Sequence, residues 1–384
     1  MKYKLSDICS GITDGSHNPP AGISKSNYLM LSSKNVFDDE ITFDDPRYLS
    51  EEQYVAEHKR TGIMAGDVLM TIVGTVGRTA VVSDGMPPIT LQRSVAVLHP
   101  LKDVCLNRYL MYVLRSKRNV FESEAHGVAQ KGIYLKQLSS IVVEVPEVER
   151  QKKVVQILDQ VQQVIKRRQK ELSKLDDLIK ARFVELFGDT VLNPFQWNKD
   201  LLGMVCDVRD GTHDSPQYYE TGFPLVTSKN VTGGRIDLTD CSLICKADYE
   251  KINERSKVDM GDIIMPMIGT VGKPVIVDIE PLFAIKNVAL IKFRADSRVL
   301  NSYVQALLQS DYFDDAVFSK VRGGTQKFIS LGDIRKLEVL VPPMERQQQF
   351  ATFVAQVDKS KAEVQKSLDE AQVLLDSLMQ QYFG

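Results

Sequence analysis

Two kinds of hydrophobic pattern alternate along the chain, and each occurs twice. In residues 1–145 and 189–341, short runs of β-branched and aromatic residues are interrupted by Gly, Pro, Asn and Asp. Runs of this kind predict strands joined by turns. One helix-like stretch occurs in each region, at LNRYLMYVLRS and LNSYVQALLQS. We therefore expect two similar domains that are mainly β with some helix.

After each of these regions the hydrophobic residues recur at alternating steps of four and three. The first such seam, in residues 146–188, contains Val154, Leu158, Val161, Ile165, Leu172, Leu175, Ile179 and Leu186, interrupted by Arg168 and Arg182. The second, in residues 342–384, contains Phe350, Val354, Val357, Val364, Leu368, Ala371, Leu375, Leu378 and Tyr382, interrupted by Lys361. A four-three spacing over about five heptads is typical of a coiled-coil helix. Pro146 and Pro342 stand where the helices would begin, and Gly188 and Gly384 where they would end.

The chain contains an internal duplication. DGSH at Asp14 returns as DGTH at Asp210, and SKNV at Ser33 returns at Ser228. In the same order, GDVLMTIVGTVG matches GDIIMPMIGTVG, AQKGIYL matches TQKFISL, and VPEVERQ matches VPPMERQ. The offset stays between 193 and 196 residues. So many ordered matches at one period indicate a duplicated unit rather than unrelated motifs.

The connectivity of the two repeats predicts an α+β architecture. A helix of about forty residues, at ~1.5 Å per residue, carries the chain on the order of 60 Å away from the first domain. The second helix begins where the second domain ends, so the simplest packing of the two seams is antiparallel. We expect two similar mainly-β domains, residues 1–145 and 189–341, at opposite ends of an antiparallel two-helix coiled coil formed by residues 146–188 and 342–384, with a pseudo-two-fold axis.

Composition and charge narrow the classes of function. A formal net charge of -2 and a pI of about 6.3 argue against a generally basic nucleic-acid coat. They leave room for a local basic patch, because phosphates respond to the face they meet. The five cysteines have scattered spacings that fit reduced thiols better than a disulfide framework. The apolar stretches are too short to span a bilayer and MKYKLSDICSG has no secretory core, so we expect a cytoplasmic protein.

Polar positions between the repeated motifs differ from one domain to the other. When the two repeats are aligned, Arg78 corresponds to Lys273 and Gln92-Arg93-Ser94 corresponds to Ile285-Lys286-Asn287. Residues 128–131 correspond to residues 324–327. Gln, Arg, Lys and Asn are the side chains that read base edges, so two different sets predict two different half-sites on DNA, whose major grooves recur about every 34 Å along one face. The residues predicted to contact DNA are Lys34, Asn35, Thr75, Arg78, Gln92, Arg93, Gln130 and Lys131 in the first domain, and Lys229, Asn230, Thr270, Lys273, Lys286, Asn287, Gln326 and Lys327 in the second.

Several of these motifs also have a structural interpretation. The GTVG loops at Gly74 and Gly269 could cradle phosphate through backbone amides, or simply form a tight turn between strands. Lys34-Asn35 and Lys229-Asn230 could be strand-end turns with Asn in a left-handed conformation. The basic run at residues 166–168 is either a solvated helix face or a track for the phosphates between two half-sites.

Two motifs suggest catalysis, but their context argues against it. The Asn-Pro-Pro triplet of DGSHNPP resembles the motif with which amino-methylating DNA methyltransferases hold a flipped base. Ala21 follows where an aromatic residue is needed, and no glycine-rich cofactor loop is evident. Asp14 with His17, and Asp210 with His213, could suggest a metal or acid–base site, but no zinc-module spacing accompanies them, and Cys241 and Cys245 have no partner pair in the first repeat. We expect a structural turn and hydrogen-bonded loops, with no catalytic residue and no metal.

The order of the motifs resembles the specificity subunit of a type I restriction-modification system. The resemblance rests on DGTHDSP, TSKNV, GDIIMPMIGTVG, GGTQKFISL and VPPMERQ at the start of a long helix, all present twice in related form, and it covers the whole chain. It implies a non-catalytic DNA-binding subunit with two target recognition domains. Each domain would read one half of a bipartite double-stranded site across an unspecified gap.

The resemblance also implies partners. The long helices would set the gap and bind two adenine methyltransferase (modification) subunits, which would hold S-adenosylmethionine, so no cofactor is expected in this chain. Restriction/translocase subunits would join through the complex. Residues assigned to partner binding and helix packing are Leu158, Val161, Ile165, Leu172, Leu175, Ile179, Val354, Val357, Val364, Leu368, Leu375 and Leu378. The alternatives are a duplicated scaffold that does not bind DNA, and an autonomous DNA methyltransferase, for which two domains and two helices leave no length in 384 residues.

Overall fold

The computed structural model describes residues 1–124, 132–267, 273–310, 312–313 and 328–384. The chain forms two compact units, one made of Met1–Gln169 with Lys366–Gly384, the other of Lys170–Gln365. Within the described ranges, none of the helices combines the length and the apolar composition needed to cross a bilayer. Each unit contains one domain and parts of both long helices.

The elements of the first repeat run from a small amino-terminal strand to the first long helix. Its strands are β1 (Lys2–Lys4), β2 (Cys9–Asp14), β3 (Tyr28–Leu31), β4 (Val36–Phe37), β5 (Glu40–Ile41), β6 (Arg47–Leu49), β7 (Val68–Thr71), β8 (Thr79–Val81), β9 (Ile89–Leu91), β10 (Val95–Pro100) and β11 (Val142–Glu144). Its helices are α1 (Leu5–Ile8), α2 (Glu51–Thr61), α3 (Asn107–Ser116), α4 (Arg118–Glu124), α5 (Leu135–Ser140) and the long α6 (Val148–Phe187), and a 3-10 turn covers Ser33–Asn35.

The first domain contains two larger sheets, together with the two-stranded pairs β1–β11 and β4–β5. β2, β10, β7 and β8 form an antiparallel sheet in the order β2-β10-β7-β8, and β3 lies between β6 and β9 in the other, with β3 and β9 parallel. Successive residues of β7 face opposite sides, as a pleated strand requires. Met70 joins the core shared with α3 and the long helices, whereas Leu69 joins a second core with Leu31 and Leu91. The polar loops that follow β2, β3, β7 and β9 are positioned by these two cores.

The described elements of the second repeat follow the same order as those of the first, with no counterpart of α4 among the described residues. Its strands are β12 (Asn198–Leu201), β13 (Asp207–Asp210), β14 (Phe223–Val226), β15 (Val231–Thr232), β16 (Arg235–Ile236), β17 (Ser242–Ile244), β18 (Ile263–Pro266), β19 (Val275–Ile276), β20 (Ala284–Ile285), β21 (Val288–Lys292) and β22 (Glu338–Val341). Its helices are α7 (Leu202–Val205), α8 (Lys246–Ser256), α9 (Asn301–Leu308), α10 (Leu331–Arg335) and the long α11 (Met344–Phe383), and a 3-10 turn covers Ser228–Asn230.

Sheet order confirms the duplication. β13-β21-β18-β19 repeats the order of the first antiparallel sheet, and β17-β14-β20 repeats that of the second, again with one parallel pair. The α+β class expected from the sequence is therefore correct, and both copies of the motif series belong to the same fold.

The longest of the helices that were not expected from the sequence is α2 in the first domain and α8 in the second. The pattern predicted a single helix-like stretch per domain, yet α2 and α8 add another, because their polar sequences carry little hydrophobic periodicity. The ends of α2 explain why it forms. Ser50 and Gln53 make a reciprocal capping box, and Gly62 closes the helix in a left-handed conformation with φ 55°.

The two long helices pack against each other within each unit. Predicted at 146–188 and 342–384, they run from Val148 to Phe187 and from Met344 to Phe383. In the first unit, Leu158 of α6 shares a core with Leu375 of α11; in the second, Phe183 of α6 shares one with Phe350 of α11. In each unit an early part of one helix therefore meets a late part of the other, which is antiparallel pairing.

A buried glutamine fixes the start of each long helix to its domain. Gln151 is fully buried; its Oε1 accepts from the Leu106 amide at 2.8 Å, and its Nε2 donates to the carbonyls of Val104 and Pro146, both at 2.8 Å. Gln347 repeats this arrangement, accepting from the Leu300 amide and donating to two carbonyls. These bonds account for the repeated VPEVERQ and VPPMERQ motifs.

Candidate nucleic-acid interface

Loops of the first domain that carry predicted DNA contacts meet around Ser94. The Ser33 amide donates to Ser94 Oγ at 3.0 Å, and the Ile72 amide donates to the Ser94 carbonyl at 2.9 Å. The amide of Arg93 donates to the Ser16 carbonyl at 2.9 Å. The loops after β2, β3, β7 and β9, which are distant in sequence, therefore form one surface.

The DGSH motif packs against the loop after β9 and so stabilises this surface. A Cβ on Gly15 would lie 2.1 Å from the Leu91 carbonyl oxygen, so only glycine fits beside the loop after β9. The carboxylate of Asp14 is almost fully buried, accepts from Arg60 at 2.6 Å and lies 2.7 Å from a ring nitrogen of His17. Asp14 and His17 therefore hold the loop by hydrogen bonds, as the sequence led us to expect.

In the second domain the corresponding hydrogen bonds also reach Asn287, one of the residues predicted to contact DNA. Asp210 pairs with Arg255 and lies 2.8 Å from His213 Nε2, while His213 Nδ1 lies 2.8 Å from Asn287 Oδ1. The hydrogen bonds to Asn287 and Asp210 raise the pKa of His213, because both acceptors favour the protonated ring. In that form His213 donates to both acceptors and orients the amide of Asn287.

Asn35 and Asn230 do not belong to the exposed surface. Only 1% of Asn35 is exposed; its Oδ1 accepts from the Ser32 amide at 3.1 Å and its Nδ2 donates to the Asp44 carbonyl at 2.9 Å. Asn230 is buried too and accepts from the Thr227 amide and hydroxyl. We therefore remove both from the candidate contacts. They end 3-10 turns, and neither has the positive φ that was expected.

The lysines beside these asparagines remain at the surface. Lys34 forms an ion pair with Asp45 at 2.5 Å, and both side chains are largely exposed. An exposed pair of this kind is weak in water, so a phosphate can replace the carboxylate at little cost. Lys229 is exposed as well. Both remain candidates for phosphate contact.

The first GTVG loop is a tight turn between antiparallel strands β7 and β8. Gly74 and Gly77 have φ of 83° and 88°, and Thr71 Oγ1 both donates to the Thr75 carbonyl and accepts from the Arg78 amide. Thr75 lies exposed at the tip. The guanidinium of Arg78 lies over the Phe37 ring, 4.9 Å from its centroid. Lys273, the counterpart of Arg78, is exposed, whereas Thr270 lies outside the described residues.

The structure corrects the alignment of the loop after β9. Leu31 pairs with Leu91 in the first domain and Val226 pairs with Ile285 in the second. Ile285 is therefore the counterpart of buried Leu91, not of Gln92. The sequence alignment was one residue out of register. Because a one-residue shift moves every side chain to the other face of a strand, it matched the buried Ile285 with Gln92.

With the corrected register, Gln92 is equivalent to Lys286 and Arg93 to Asn287. Ser16 pairs with Gln92, and Thr212 pairs with Lys286 in the same way. Arg93 is exposed, Gln92 is half-buried, and the ammonium of Lys286 donates to Ser215 Oγ at 2.7 Å. Asn287 has a φ of 55° at the tip of its turn. The two domains therefore present different polar groups at the same two positions.

The remaining predicted contacts are the paired Gln and Lys residues of the two repeats and the basic run on α6. Gln130, Lys131, Gln326 and Lys327 lie outside the described residues. Lys166 of the basic run on α6 donates to the carboxylate of Asp39 at 2.8 Å. This lysine is therefore engaged inside the first unit, which favours neither interpretation of the run.

The Asn-Pro-Pro segment is an irregular stretch of backbone tied to β6 through Arg47. Arg47 donates to the carbonyls of Pro19 and Pro20. Across the described part of the chain, no group of three or more His, Cys, Asp or Glu side chains is arranged to hold a metal ion.

Seam positions of the long helices are all buried or half-buried, including Leu158, Ile165, Val357 and Leu375. Two leucines just outside the seams are exposed instead. Leu178 of α6 and Leu374 of α11 stand at equivalent repeat positions, with exposed fractions of 46% and 50%. The seam pattern did not single them out, although comparing the repeats at an offset of 196 residues finds both. Each unit thus exposes a leucine at the same helical position.

Comparison with known proteins places these features in one family. A sequence profile described as the type I restriction modification DNA specificity domain matches residues 24–175 and again residues 194–371. The chain is 23% identical over 293 residues to the type I restriction enzyme MjaVIII specificity subunit of Methanocaldococcus jannaschii, covering 70% of this chain and 68% of that protein. It is 21% identical to the type I restriction enzyme EcoBI specificity subunit of Escherichia coli, covering 76% and 67%.

Solved structures give the same fold. A crystal structure of the S subunit of a type I restriction-modification system from M. genitalium superposes with a TM-score of 0.56 at 14% identity, covering 99% of this chain and 94% of that one. A chain from a structure concerned with assembly and conformational transition of the type I R-M system gives a TM-score of 0.52 at 16% identity, covering 100% and 97%.

Proposed function

This chain belongs to the family of type I restriction-modification specificity subunits, with the family's DNA specificity domain present twice, and from that premise we propose that it reads a bipartite DNA sequence, one half with each domain. The reading surface is the set of loops that meet around Ser94 in the first domain and, in the second, the loops after β13 and β20, which are joined through Thr212 and Asn287. The chain itself carries out no chemistry and directs partner enzymes to the site.

The observation that carries this proposal is the pair of unlike residues at equivalent positions. Gln92 and Arg93 in the first domain correspond to Lys286 and Asn287 in the second. Arg binds guanine best, whereas Asn binds adenine, each through two hydrogen bonds in the major groove. Two copies of one fold with different polar tips are suited to two different half-sites.

Exposed leucines at equivalent helical positions support the docking of two identical partners. Leu178 and Leu374 belong to different units and neither is used in seam packing. A single exposed leucine is ordinary on a protein surface, but here an exposed apolar side chain recurs at the same place in both repeats, which suits two like partners. We propose that each leucine contacts one adenine methyltransferase subunit. Those subunits would hold S-adenosylmethionine, and restriction/translocase subunits would join through them.

A scaffold that binds only protein is the main alternative. It is tested by purifying this chain with the methyltransferase subunit encoded beside it and selecting bound duplexes from a random-sequence library over a range of salt concentrations. We expect enrichment of two unlike words at a fixed spacing, and weaker binding as salt rises, because phosphate contacts release counterions. A stable complex that enriches no sequence would support the scaffold and refute the proposal.

A further inference from the structure

The first domain contains a network of ion pairs that its counterpart lacks. Asp38 and Asp39 form the two-residue turn of the β4–β5 hairpin, with Asp39 at a φ of 60°. The Asp39 carboxylate is only 11% exposed. It accepts from Arg108 of α3 at 2.8 Å and from Lys166 of α6 at 2.8 Å. The hairpin turn is therefore tied to the long helix as well as to its own domain.

Arg108 links this turn to a further residue of α6. Its Nε and Nη2 donate to Asp159 Oδ1 at 2.9 and 2.6 Å, and the Tyr112 hydroxyl donates to the same oxygen at 2.7 Å. Burial alone would raise the pKa of Asp39, but the hydrogen bonds from Arg108 and Lys166 outweigh it and lower that pKa. The Asp39 carboxylate is thus ionised at neutral pH.

The neighbouring Asp38 connects the hairpin to the GTVG loop. Arg118, at the start of α4, donates to both carboxylate oxygens of Asp38 at 2.5 and 2.7 Å. Its guanidinium also donates to the Gly77 carbonyl at 3.1 Å. The preceding hairpin residue is Phe37, whose ring lies under Arg78. Arg78 is therefore held from two sides, by the loop that precedes it and by the hairpin beneath it.

The second domain adopts the same fold without these groups. Gly233 and Gly234 replace the two aspartates at its hairpin turn, and Ser302 replaces Arg108. Ala355 and Ala362 of α11 replace Asp159 and Lys166. The ion pairs are therefore not needed for the fold of the domain. Pairs that are partly desolvated add little net stability, but their geometry restricts where the charged groups can lie.

We infer that Asp38, Asp39, Arg108, Arg118, Asp159 and Lys166, together the hairpin clamp, position Arg78 for its DNA half-site by fixing the β4–β5 hairpin to α6. This inference rests on the proposed function, since it assigns a role within one of the two half-sites. The clamp residues act through Phe37 and Gly77 and touch no DNA themselves.

The test uses variants that borrow residues from the second repeat. Asp159→Ala combined with Lys166→Ala gives α6 the residues that α11 carries and leaves the domain surface unchanged. Asp38→Gly with Asp39→Gly copies the other hairpin turn, and Asp84→Asn, at an exposed turn of the same domain, is the control. Each is purified in complex with the methyltransferase subunit. Affinity is measured for a duplex carrying the methylated site mapped for the unchanged complex, and for its single-base-pair substitutions.

We expect each clamp variant to lose about tenfold in discrimination at one half-site, the same half that Arg78→Ala affects. Adding Arg78→Ala to a clamp variant should cause little further loss, because the clamp acts through that side chain. Equal losses at both halves, additive losses, or unchanged discrimination would overturn the inference. If the unchanged complex recognised no bipartite site, the proposed function would fail instead.

Discussion

Arg93 and Asn287 occupy equivalent positions in the two domains but present different hydrogen-bonding groups. We predict that Arg93→Ala relaxes base preference in one half-site and Asn287→Ala in the other, each at a cost of about 1–3 kcal/mol in discrimination. Binding of substituted duplexes by the methyltransferase complex measures this. Lys59→Ala, at an exposed position of α2, is the control and should leave base preference unchanged. Loss at both halves from either substitution would contradict the assignment of one half to each domain.

His213 gives the second domain a pH-dependent contact. Its folded-state pKa is raised, mainly by the hydrogen bonds to Asn287 and Asp210. A raised pKa means that protonation favours the folded state, so this contribution is complete below the unfolded value of about 6.5 and is lost as the pH rises through the folded pKa. We predict that His213→Gln lowers the melting temperature in mildly acidic buffer and has a smaller effect in alkaline buffer. Melting curves of both proteins across this pH range test the sign of the effect. A difference in melting temperature that grew with pH would contradict the prediction.

Single residues also show where sequence patterns stop being informative. The repeated Asp14 and His17 motif correctly predicted a hydrogen-bonded loop, because these two side chains bond to each other and are only three residues apart. Asn35 was predicted to contact DNA because Asn can read bases, yet the same amide can satisfy backbone groups, and only its burial decides between the two. Ile285 was aligned with Gln92 because a one-residue slip is invisible in a short motif.

At the level of elements, the start of each long helix depends on one buried amide. We predict that Gln347→Ala destabilises the second unit by on the order of 3 kcal/mol or more, because it leaves the Leu300 amide and two carbonyls without partners. Chemical denaturation measures the change. Gln348→Ala, the exposed neighbour on the same helix, should change the free energy of unfolding by less than about 0.5 kcal/mol. Similar effects of the two substitutions would refute the anchoring role.

The exposed leucines of the long helices provide a test of partner docking. Leu374→Glu should remove one of two methyltransferase subunits and Leu178→Glu the other, since a buried carboxylate is costly in an apolar contact. The mass of the purified complex reports how many subunits remain. Leu282→Glu, at another exposed leucine outside the helices, should retain both subunits. Full assembly of the double variant would show that partners bind elsewhere.

Helices with a regular hydrophobic spacing were predicted from the sequence, and a helix without one was missed. The seams of α6 and α11 were visible because four-three spacing persists along both helices, and the burial of Leu158 and Leu375 agrees with it. α2 was missed because its end caps, rather than an apolar stripe, determine it.

At the level of the whole molecule, the duplication could be predicted from the sequence, whereas the hairpin clamp could not. Ordered motifs at one period required two similar domains, and the repeated strand order agrees. The clamp joins Asp39, Arg108, Asp159 and Lys166, whose separations in sequence have no pattern and whose counterparts in the second repeat are uncharged. Only the fold brings them together.

Two unlike reading surfaces on one chain predict a specific pattern of adenine methylation in genomic DNA. The chain is co-expressed with the adenine methyltransferase subunit encoded beside it, and methyladenine is mapped across the host DNA by single-molecule sequencing. We predict one bipartite motif with two unlike halves around a fixed gap, methylated once on each strand. A contiguous motif, or an absence of methylation despite a stable complex, would contradict the account.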